Sequence, residues 1–417
     1  MFKKDNKLNQ WLWKWHFIAG LVSLPFIIVL AITGGIYLFK DQYEAPKQEH
    51  VKVVKAEGKP ISFQEQWDIV KAQAKVPPHT MVISAKPNQA TEFITGKFGT
   101  LSSTFVNPYN SKITGTINAK DSDMFKLRKL HGELLLGAYG TKIVELMACW
   151  LVVLIITGIY VFWPPKKDGI KGFFKVRVKN GKRILFRDLH TVLGFWISIL
   201  LLMTLAGGLP WTDVFGDYFK WIQKVTNTGY PTTWEANGLQ SVQDGKTISL
   251  DAMVALAKTM NLKGDLNIGL PKDEKGVYSI FNTTFDLDAQ KRFHYDQYSG
   301  KLLVQHNWDD VGVLMRGRMW FMAFHQGQFG NWNLILMLVI SILLTFLAVV
   351  ALISYLKRKP NGKWGTPKVP VNFKVEYGVA TVIFLLCLAL PLFAFSVIII
   401  MLIEFLRKRK NNNVAIQ

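Results

Sequence analysis

The sequence is poor in cysteine and in acidic residues. It has two cysteines, Cys149 and Cys387, and each lies inside an apolar run, so neither can build a disulfide framework. Only 29 acidic residues stand against 50 basic ones. No Gly-x-Gly-x-x-Gly segment follows a predicted strand, and no carboxylate pair or nucleophilic triad is recognisable. The chain is therefore not predicted to bind a dinucleotide or to carry out hydrolysis.

Hydrophobic residues make up 50% of the chain and are concentrated in blocks. A membrane helix needs about 20 mostly apolar residues. The first block is not followed by a small-residue cleavage site, so we interpret it as a retained helix and not as a signal peptide. The predicted membrane segments are Phe17–Phe39, Lys142–Trp163, His190–Leu209, Asn333–Leu356 and Tyr377–Phe405.

Basic residues collect in three connections that share one side if the chain crosses the membrane four times. These are the segment before the first block, residues 166–186, and the segment after the fourth block. Positive residues favour the cytoplasmic side, which predicts a multi-pass membrane protein with a cytoplasmic N-terminus. The net charge of +21 is then mainly a topology signal, and nucleic acid is not predicted as a partner.

The final apolar block does not fit a simple crossing. A single span would place Arg407-Lys408-Arg409-Lys410 outside, whereas Pro391 in the middle favours a hairpin of two short helices. At the usual helical rise the block is about 44 Å long, which is long for one span and short for two. One helix or a hairpin both remain open.

The chain contains a duplication. Ile61–Ala72 and Ile248–Ala257 share an Ile-Ser opening and a helical pattern, and Ser62 with Glu65 is typical of a capping box. Each helix is followed by strand-like segments around the turns 107–112 and 296–301, which are rich in Asn, Asp, Ser and Gly. The repeat predicts two copies of a membrane helix, an external α+β domain and a second membrane helix.

This duplication gives the fold class: a mainly α membrane protein with a four-helix core, two external α+β domains and a C-terminal apolar helix or hairpin. The predicted segments are 1–40 (first membrane helix), 41–123 (first external domain), 124–165 (pre-helix and second membrane helix), 166–186 (basic loop), 187–210 (third membrane helix), 211–310 (second external domain), 311–357 (pre-helix and fourth membrane helix), 358–376 (cytoplasmic loop) and 377–406 (C-terminal helix or hairpin).

Four of the eight histidines occur once per predicted crossing. His16 and His190 stand at the cytoplasmic ends of the first and third spans, and His131 and His325 stand at the external ends of the second and fourth. Ionisable groups near membrane segments tend to mark function. The remaining histidines fall in the external segments, where solvated or hydrogen-bonded surface positions are expected: His50, His79, His294 and His306.

Two histidines facing each other from neighbouring helices supply two nitrogen ligands. Structural zinc needs four closed ligands, whereas haem brings four nitrogens of its own and needs only two axial histidines. We therefore predict two b-type haems, one between His16 and His190 and one between His131 and His325. No Cys-x-x-Cys-His segment occurs, so both would be non-covalent.

Arginines close to these histidines are candidates for contacts with the haem propionates. They are Arg128, Arg187 and Arg318, although arginines that only anchor the helices at the interface would look the same.

These residues resemble the PepSY-associated transmembrane helix family of bacterial inner-membrane proteins. The resemblance runs from His16 to about Tyr355 and is carried by these motifs: His16-x3-Gly20 with Thr33-Gly34-Gly35, Leu130-His131-Gly132 with Thr157-Gly158, Arg187-Asp188-Leu189-His190-x3-Gly194, and Phe324-His325-Gln326-Gly327. The Asn107-Pro108-Tyr109 and Asp296-Gln297-Tyr298 turns look like those of PepSY domains. The third and fourth spans lack the Thr-Gly pair, which affects packing and not the ligand positions.

The resemblance implies an iron-regulated reductase of ferric siderophores, with His16, His131, His190 and His325 as the axial haem ligands. Its electrons would come from a cytoplasmic or quinol donor and reach a ferric chelate in the periplasm, with the lipid bilayer as its surroundings. Two alternatives stay open. One is a membrane-anchored binding or regulatory protein without redox activity, and the other is an electron-transfer subunit that serves a separate flavoprotein.

Overall fold

The computed structural model describes residues 6–357, 367, 373 and 375–414. They form two compact units. The helical unit contains the residues up to Leu38, Arg128–Trp221 and the residues from Phe324 onward, and the sheet unit contains Phe39–Leu127 and Ile222–Ala323.

The secondary structure follows the duplicated order. Helices α1 to α12 are Asn6–Tyr37, Lys40–Lys52, Phe63–Gln73, Asp123–Glu133, Gly137–Phe162, Lys182–Gly208, Val214–Val225, Leu250–Thr259, Val313–His325, Asn331–Leu356, Tyr377–Ala389 and Pro391–Val414. Strands β1 to β8 are Thr80–Ile83, Thr91–Thr95, Ser102–Asn107, Lys112–Asn118, Asp265–Gly269, Val277–Thr283, Lys291–Asp296 and Leu302–Asn307.

Within the described residues, four helices of the helical unit are long and apolar enough to cross a membrane. They are α1, α5, α6 and α10, and their mean hydropathy is between 2.2 and 3.1. Helix α1 packs against α5 and α10, and α6 packs against the same two helices. Buried apolar residues such as Ile27, Leu154, Ile197 and Ile340 line these contacts. The protein is therefore a multi-pass membrane protein with a four-helix core.

Two of the helices begin earlier than the hydrophobic pattern indicated. Helix α1 starts at Asn6 and α6 starts at Lys182. His16 and His190 consequently lie two or more turns inside their helices, and not at the helix starts where the apolar runs begin. The hydrophobic pattern does not detect these first helical turns, because polar residues interrupt the apolar run there.

The C-terminal apolar block is divided into two helices, α11 and α12. The backbone leaves the helical conformation at Leu390 (φ −128°, ψ 87°), directly before Pro391, whose ring cannot continue a helix. Phe393 of α12 packs edge-on against Trp150 of α5, with 5.1 Å between the ring centroids. A single straight helix is thereby excluded. The side of the membrane on which the chain ends stays a prediction.

Several basic residues of the topology argument lie outside the described residues. They are Lys3, Lys4, Arg358, Lys359, Lys363 and Lys368, and most of the predicted 358–376 loop lies there as well.

The sheet unit is built around one antiparallel sheet of eight strands, in the order β4-β3-β2-β1-β5-β6-β7-β8. Each repeat contributes four consecutive strands. The halves are joined by the pairing of β1 with β5, in which Met81 lies opposite Ile268. Met81, Phe93, Ile268 and Ile280 are fully buried in one shared core. The two external domains expected at 41–123 and 211–310 are therefore one unit, because their inner strands complete each other's sheet.

The N-cap predicted at Ser62 and the turns predicted in both repeats are confirmed. Ser62 accepts a hydrogen bond from the Glu65 N–H at the start of α3, and Ser249 accepts one from the Ala252 N–H at the start of α8. Both predicted turns connect antiparallel strands, β3 to β4 and β7 to β8. Asp251 of α8 also accepts from the Phe63 N–H at 2.7 Å, which joins the two repeat helices.

Replacing Ile268 by alanine tests the shared core. Ile268 is fully buried where the halves meet. The change should lower the free energy of unfolding by about 2–5 kcal/mol, because it leaves a cavity that both halves line. Thermal unfolding of the full chain in detergent, followed by the infrared signal of the strands, measures this loss. The control Val242→Ala, at an exposed side chain, should shift it little. Equal shifts in both variants would contradict a shared core.

Candidate functional site

The helical unit brings the four span-associated histidines together in two pairs. The rings of His16 on α1 and His190 on α6 lie with their centroids 6.3 Å apart and their planes at 76°. The rings of His131 on α4 and His325 at the end of α9 lie 6.1 Å apart at 58°. These are the pairs that the sequence predicted. Their role as ligands stays a prediction.

Each of these histidines is held through Nδ1 by a helix of its own repeat. His16 Nδ1 lies 3.0 Å from Thr157 Oγ1 of α5. His131 Nδ1 lies 3.1 Å from Thr33 Oγ1 and 3.0 Å from the Leu30 carbonyl oxygen, both of α1. In the second repeat main-chain carbonyls take this role. His190 Nδ1 lies 3.3 Å from the Leu347 carbonyl oxygen, and His325 Nδ1 lies 2.9 Å from that of Thr204.

The partners decide which ring nitrogen carries the proton. Thr157 donates its hydroxyl proton to the Val153 carbonyl at 2.8 Å, and Thr33 donates its own to the Val29 carbonyl at 2.6 Å. Both hydroxyl oxygens can then only accept from the histidine, as a carbonyl oxygen does. All four rings therefore carry the proton on Nδ1 and keep the lone pair on Nε2. Metal-ligating histidines have this arrangement, with one nitrogen donating to an oxygen and the other free for the metal.

Glycines next to two of the rings leave room for them. A Cβ atom at Gly34 would lie 3.0 Å from His131 Cε1, and one at Gly158 would lie 3.1 Å from His16 Cε1. Each glycine directly follows the threonine that bonds the same ring. The Thr-Gly pairs of the first and second spans thus supply one hydrogen bond and one gap for a histidine of the neighbouring helix. Sequence reasoning noted these pairs as family motifs but missed their contacts.

A tight turn positions His325 as the last residue of α9. Gly327 has a φ of +70°, which lets the chain reverse before α10 begins. The fully buried Asn333 of α10 closes the turn: its amide donates to the Phe324 carbonyl, and its side-chain oxygen accepts from the Phe329 N–H, both at 3.1 Å. His325 is thereby placed beside α6.

The two pairs lie far apart along the bundle. Thr33, which contacts His131, lies about 17 residues after His16 on α1, or roughly 26 Å at the usual helical rise. Thr204, which contacts His325, lies about 14 residues after His190 on α6, or roughly 21 Å. The pairs therefore occupy opposite ends of the four-helix core.

The geometry of each pair fits a metal held between two imidazoles. Two nitrogen ligands at about 2 Å from one ion place their ring centroids roughly 6 Å apart. Among the described residues, no group of three or more His, Cys, Asp or Glu side chains could hold a metal ion. A site closed by protein ligands alone is thus not formed there. A group that brings its own equatorial ligands, such as haem, fits two facing histidines.

A cavity of about 1130 Å³ contains the first pair. Its walls include His16, His190 and the glycines Gly20, Gly158 and Gly194. Deeper in the bundle the lining is apolar, with residues such as Ile27, Leu151, Leu201 and Leu344. The opposite end of the cavity is lined by charged and polar residues of the 164–187 segment. A flat, largely apolar molecule with an anionic edge matches this distribution.

The three candidate arginines lie in different surroundings. Arg187 lines the cavity but already bonds Asp188, with 2.9 Å between its terminal nitrogen and Oδ1. Arg128 is exposed on α4, one turn before His131. Arg318 belongs to the sheet unit, where burial lowers the pKa of its guanidinium and the nearby Tyr230 partly opposes this shift. Contacts of all three with propionates stay predictions.

The other histidines divide into two kinds. His50 is exposed, and His79 bonds the Gly96 carbonyl at 2.8 Å. His294 and His306 are buried, so the surface position expected for them was wrong, although both are hydrogen-bonded. Sequence reasoning missed this because alternation along β7 does not show which of its residues a loop will cover.

His294 uses both ring nitrogens within the sheet unit. One lies 2.8 Å from Ser279 Oγ and the other 3.2 Å from the Trp234 carbonyl oxygen. The pKa of His294 is lowered to about 4, mainly by burial and secondly by the neighbouring Arg292 guanidinium. The role of His294 is structural, because neither of its ring nitrogens is free to bind a ligand.

A family profile described as PepSY-associated TM region matches residues 13–358 of the chain. The chain belongs to the PepSY-associated transmembrane family. The matched part of this family member includes all four paired histidines and ends before α11 and α12. No curated protein matches the chain.

The pKa of His294 predicts how stability depends on pH. The folded-state pKa is lowered, so the unfolded chain binds the proton more tightly. The stability contribution of neutral His294 is complete above pH 6.5 and is lost as the pH falls from 6.5 towards 4. His294→Leu should reduce the slope of the unfolding temperature against pH in this range, whereas the exposed-site control His50→Leu should not. Unfolding scans of the strand signal measure both slopes. An unchanged slope in His294→Leu would contradict the assignment.

Proposed function

We propose that the protein is a di-haem membrane oxidoreductase that carries electrons across the bilayer and reduces a ferric chelate, of the ferric-siderophore type, on the outer side. His16 with His190 and His131 with His325 would be the axial ligands of two b-type haems. The observation that carries the proposal is the paired arrangement itself: facing imidazoles with ring centroids 6.1–6.3 Å apart, each with its Nδ1 hydrogen-bonded to an oxygen of a neighbouring helix. Haem bound in this way supplies reversible one-electron chemistry.

The protein residues would keep the imidazoles in fixed positions. Thr33 and Thr157 in the first repeat, and the carbonyls of Thr204 and Leu347 in the second, restrain the Nδ1 atoms. A hydrogen bond at Nδ1 raises the basicity of Nε2 and strengthens it as a ligand. Apolar residues between the pairs, such as Ile155, Leu201 and Ile340, keep water out of the middle of the bundle.

The position of the two pairs supports transfer across the membrane. They lie at opposite ends of a four-helix core, whereas the hydrocarbon layer is about 30 Å thick. A redox group at each end divides that distance. The distribution of basic residues supports a cytoplasmic N-terminus, and therefore a cytoplasmic first pair and a periplasmic second pair in an inner membrane.

The substrate class rests on the resemblance of the histidine motifs to those of ferric-siderophore reductases. Reduction of a ferric chelate is a one-electron step, and it requires neither a nucleophile nor an acid–base pair. The donor would be a separate cytoplasmic protein or a quinol, because the sequence has no nucleotide-binding fingerprint. Ferrous iron would be released because hard oxygen chelators bind it less tightly than ferric iron.

The visible spectrum of the purified protein tests the proposal. Protein from haem-replete cells should show the Soret and α bands of six-coordinate b-type haem, with a reduced-minus-oxidised difference. Replacing either His16 or His190 by alanine should lower the haem content by about half, because each removes one ligand of the same pair. The exposed-site control His50→Ala should retain all of it.

Three outcomes would decide between the interpretations. A colourless preparation would contradict the redox proposal and leave a membrane-anchored binding protein. Loss of the same spectral component in His16→Ala and His131→Ala would contradict the pairing. Haem that is reduced only by a flavoprotein partner, and that is not reoxidised by ferric chelates, would indicate a subunit of another enzyme.

The hydrogen bond from His16 to Thr157 predicts a change in redox potential. Thr157→Val removes the hydrogen-bond acceptor while preserving the side-chain shape. His16 Nε2 then becomes a weaker ligand of the iron, and the ferric state loses stability. The midpoint potential of the first site should rise by up to roughly 40 mV, since a hydrogen bond is worth about 1 kcal/mol. Potentiometric titration in detergent measures this shift.

Thr204→Val is the matched control. Thr204 holds His325 through its main-chain carbonyl, and its hydroxyl bonds the Leu200 carbonyl of its own helix at 2.9 Å. This variant should leave the potentials of both sites unchanged. A shift in Thr204→Val as large as in Thr157→Val would show that the Thr157 effect does not come from the hydrogen bond.

A further inference from the structure

The mouth of the cavity around His16 and His190 is basic. Five basic residues line it, and they come from the 164–181 loop and from the first turns of α6: Lys175, Arg177, Lys182, Arg183 and Arg187. All of them lie in the helical unit. Which of these charges is available to a ligand depends on the acidic residues beside them.

Three of the five are engaged by carboxylates. Lys175 lies 3.2 Å from Asp168, and Arg177 and Arg187 both bind Asp188. Asp188 is almost fully buried and accepts two side-chain hydrogen bonds from Arg177, at 2.8 and 2.9 Å. A buried carboxylate needs such partners, because an unpaired one is strongly destabilising.

The Arg177–Asp188–Arg187 cluster joins the loop to α6. Asp188 precedes His190 by two residues, and its carboxylate also accepts a hydrogen bond from the Arg177 main-chain N–H at 3.1 Å. This contact fixes the loop where it borders the cavity. Both guanidinium groups of the cluster already share one carboxylate. We therefore assign the cluster a structural role at the mouth of the cavity.

The two remaining cations are Lys182 and Arg183, and neither has an ion pair or a side-chain hydrogen bond within the described residues. The side chains of Lys182 and Arg183 lie on different faces of α6. Arg183 precedes His190 by about seven residues, or nearly two turns, so both side chains lie on the same face of α6. Lys182 is rotated from that face by about 80°.

We infer that Arg183 binds a carboxylate of the porphyrin held between His16 and His190, in place of Arg187, which the sequence had suggested for this contact. This inference rests on the proposed function. A guanidinium presents two parallel N–H groups to a carboxylate, and the charge of Arg183 is not used by any acidic residue of the described part of the chain. Its position on the His190 face lets one helix supply both an axial ligand and the anion contact.

Comparing haem with haem dimethyl ester isolates the carboxylate contact. Both are titrated into the haem-free full chain in detergent, and binding is followed by the Soret band. In the wild type, haem should bind the first site more tightly than the ester. Arg183→Gln should weaken haem binding at this site by about tenfold, a modest loss since Arg183 is exposed, and should leave ester binding unchanged. Arg183→Lys should restore part of the difference.

Lys182→Gln is the matched control. It removes the same charge one position away, so a general electrostatic effect would weaken haem binding equally in both variants. The inference requires a clearly smaller loss in Lys182→Gln and in Arg187→Gln than in Arg183→Gln. Equal losses, or a loss of ester binding that matches the loss of haem binding in Arg183→Gln, would overturn it.

The background variant His131→Ala restricts the titration to the first site. Where this variant does not fold, the same comparison is made with both sites intact, and the affected site is recognised as the spectral component that His16→Ala removes. Failure of the wild type to bind haem at all would overturn the proposed function itself. Normal haem binding with no preference over the ester would overturn only the assignment of Arg183.

Discussion

A hydrogen bond from Nδ1 to an oxygen of a neighbouring helix holds each of the four paired histidines, and the rest of the candidate site depends on it. A buried imidazole N–H without an acceptor would be destabilising by about 1–3 kcal/mol. In a bundle of apolar helices, the acceptors are a threonine hydroxyl whose own proton is already used, or a main-chain carbonyl. The register of the helices therefore determines ring direction, tautomer and the nitrogen that stays free.

The two repeats reach this arrangement with different residues. In the first, Thr33 and Thr157 accept from the histidines, and a glycine follows each of them. In the second, the carbonyls of Thr204 and Leu347 accept, so these hydrogen bonds need no Thr-Gly pair. The second repeat thus retains the geometry around the imidazole without the same side chains.

Two buried carboxylates of the helical unit are stabilised by donors near the ends of α6. Asp188, close to its beginning, is held by Arg177 and Arg187. Glu145 of α5 is fully buried and accepts from the Val214 and Phe215 N–H groups at the start of α7, which follows α6. Such groups are costly in a membrane protein unless they are paired. Here they fix the segments that enter and leave α6.

From the sequence we could predict the membrane helices, the duplication, the N-cap and turns of the repeats, and the pairing of the four histidines. Hydrophobic length, periodicity and turn residues are local properties, so they can be recognised in one chain. The folded chain was needed to show that the two external segments share one sheet, that His294 is buried, that Asp188 engages Arg187, and that the paired histidines are hydrogen-bonded through Nδ1. These features depend on contacts such as Met81 with Ile268, between residues far apart in sequence, whose register and helix rotation no local pattern contains.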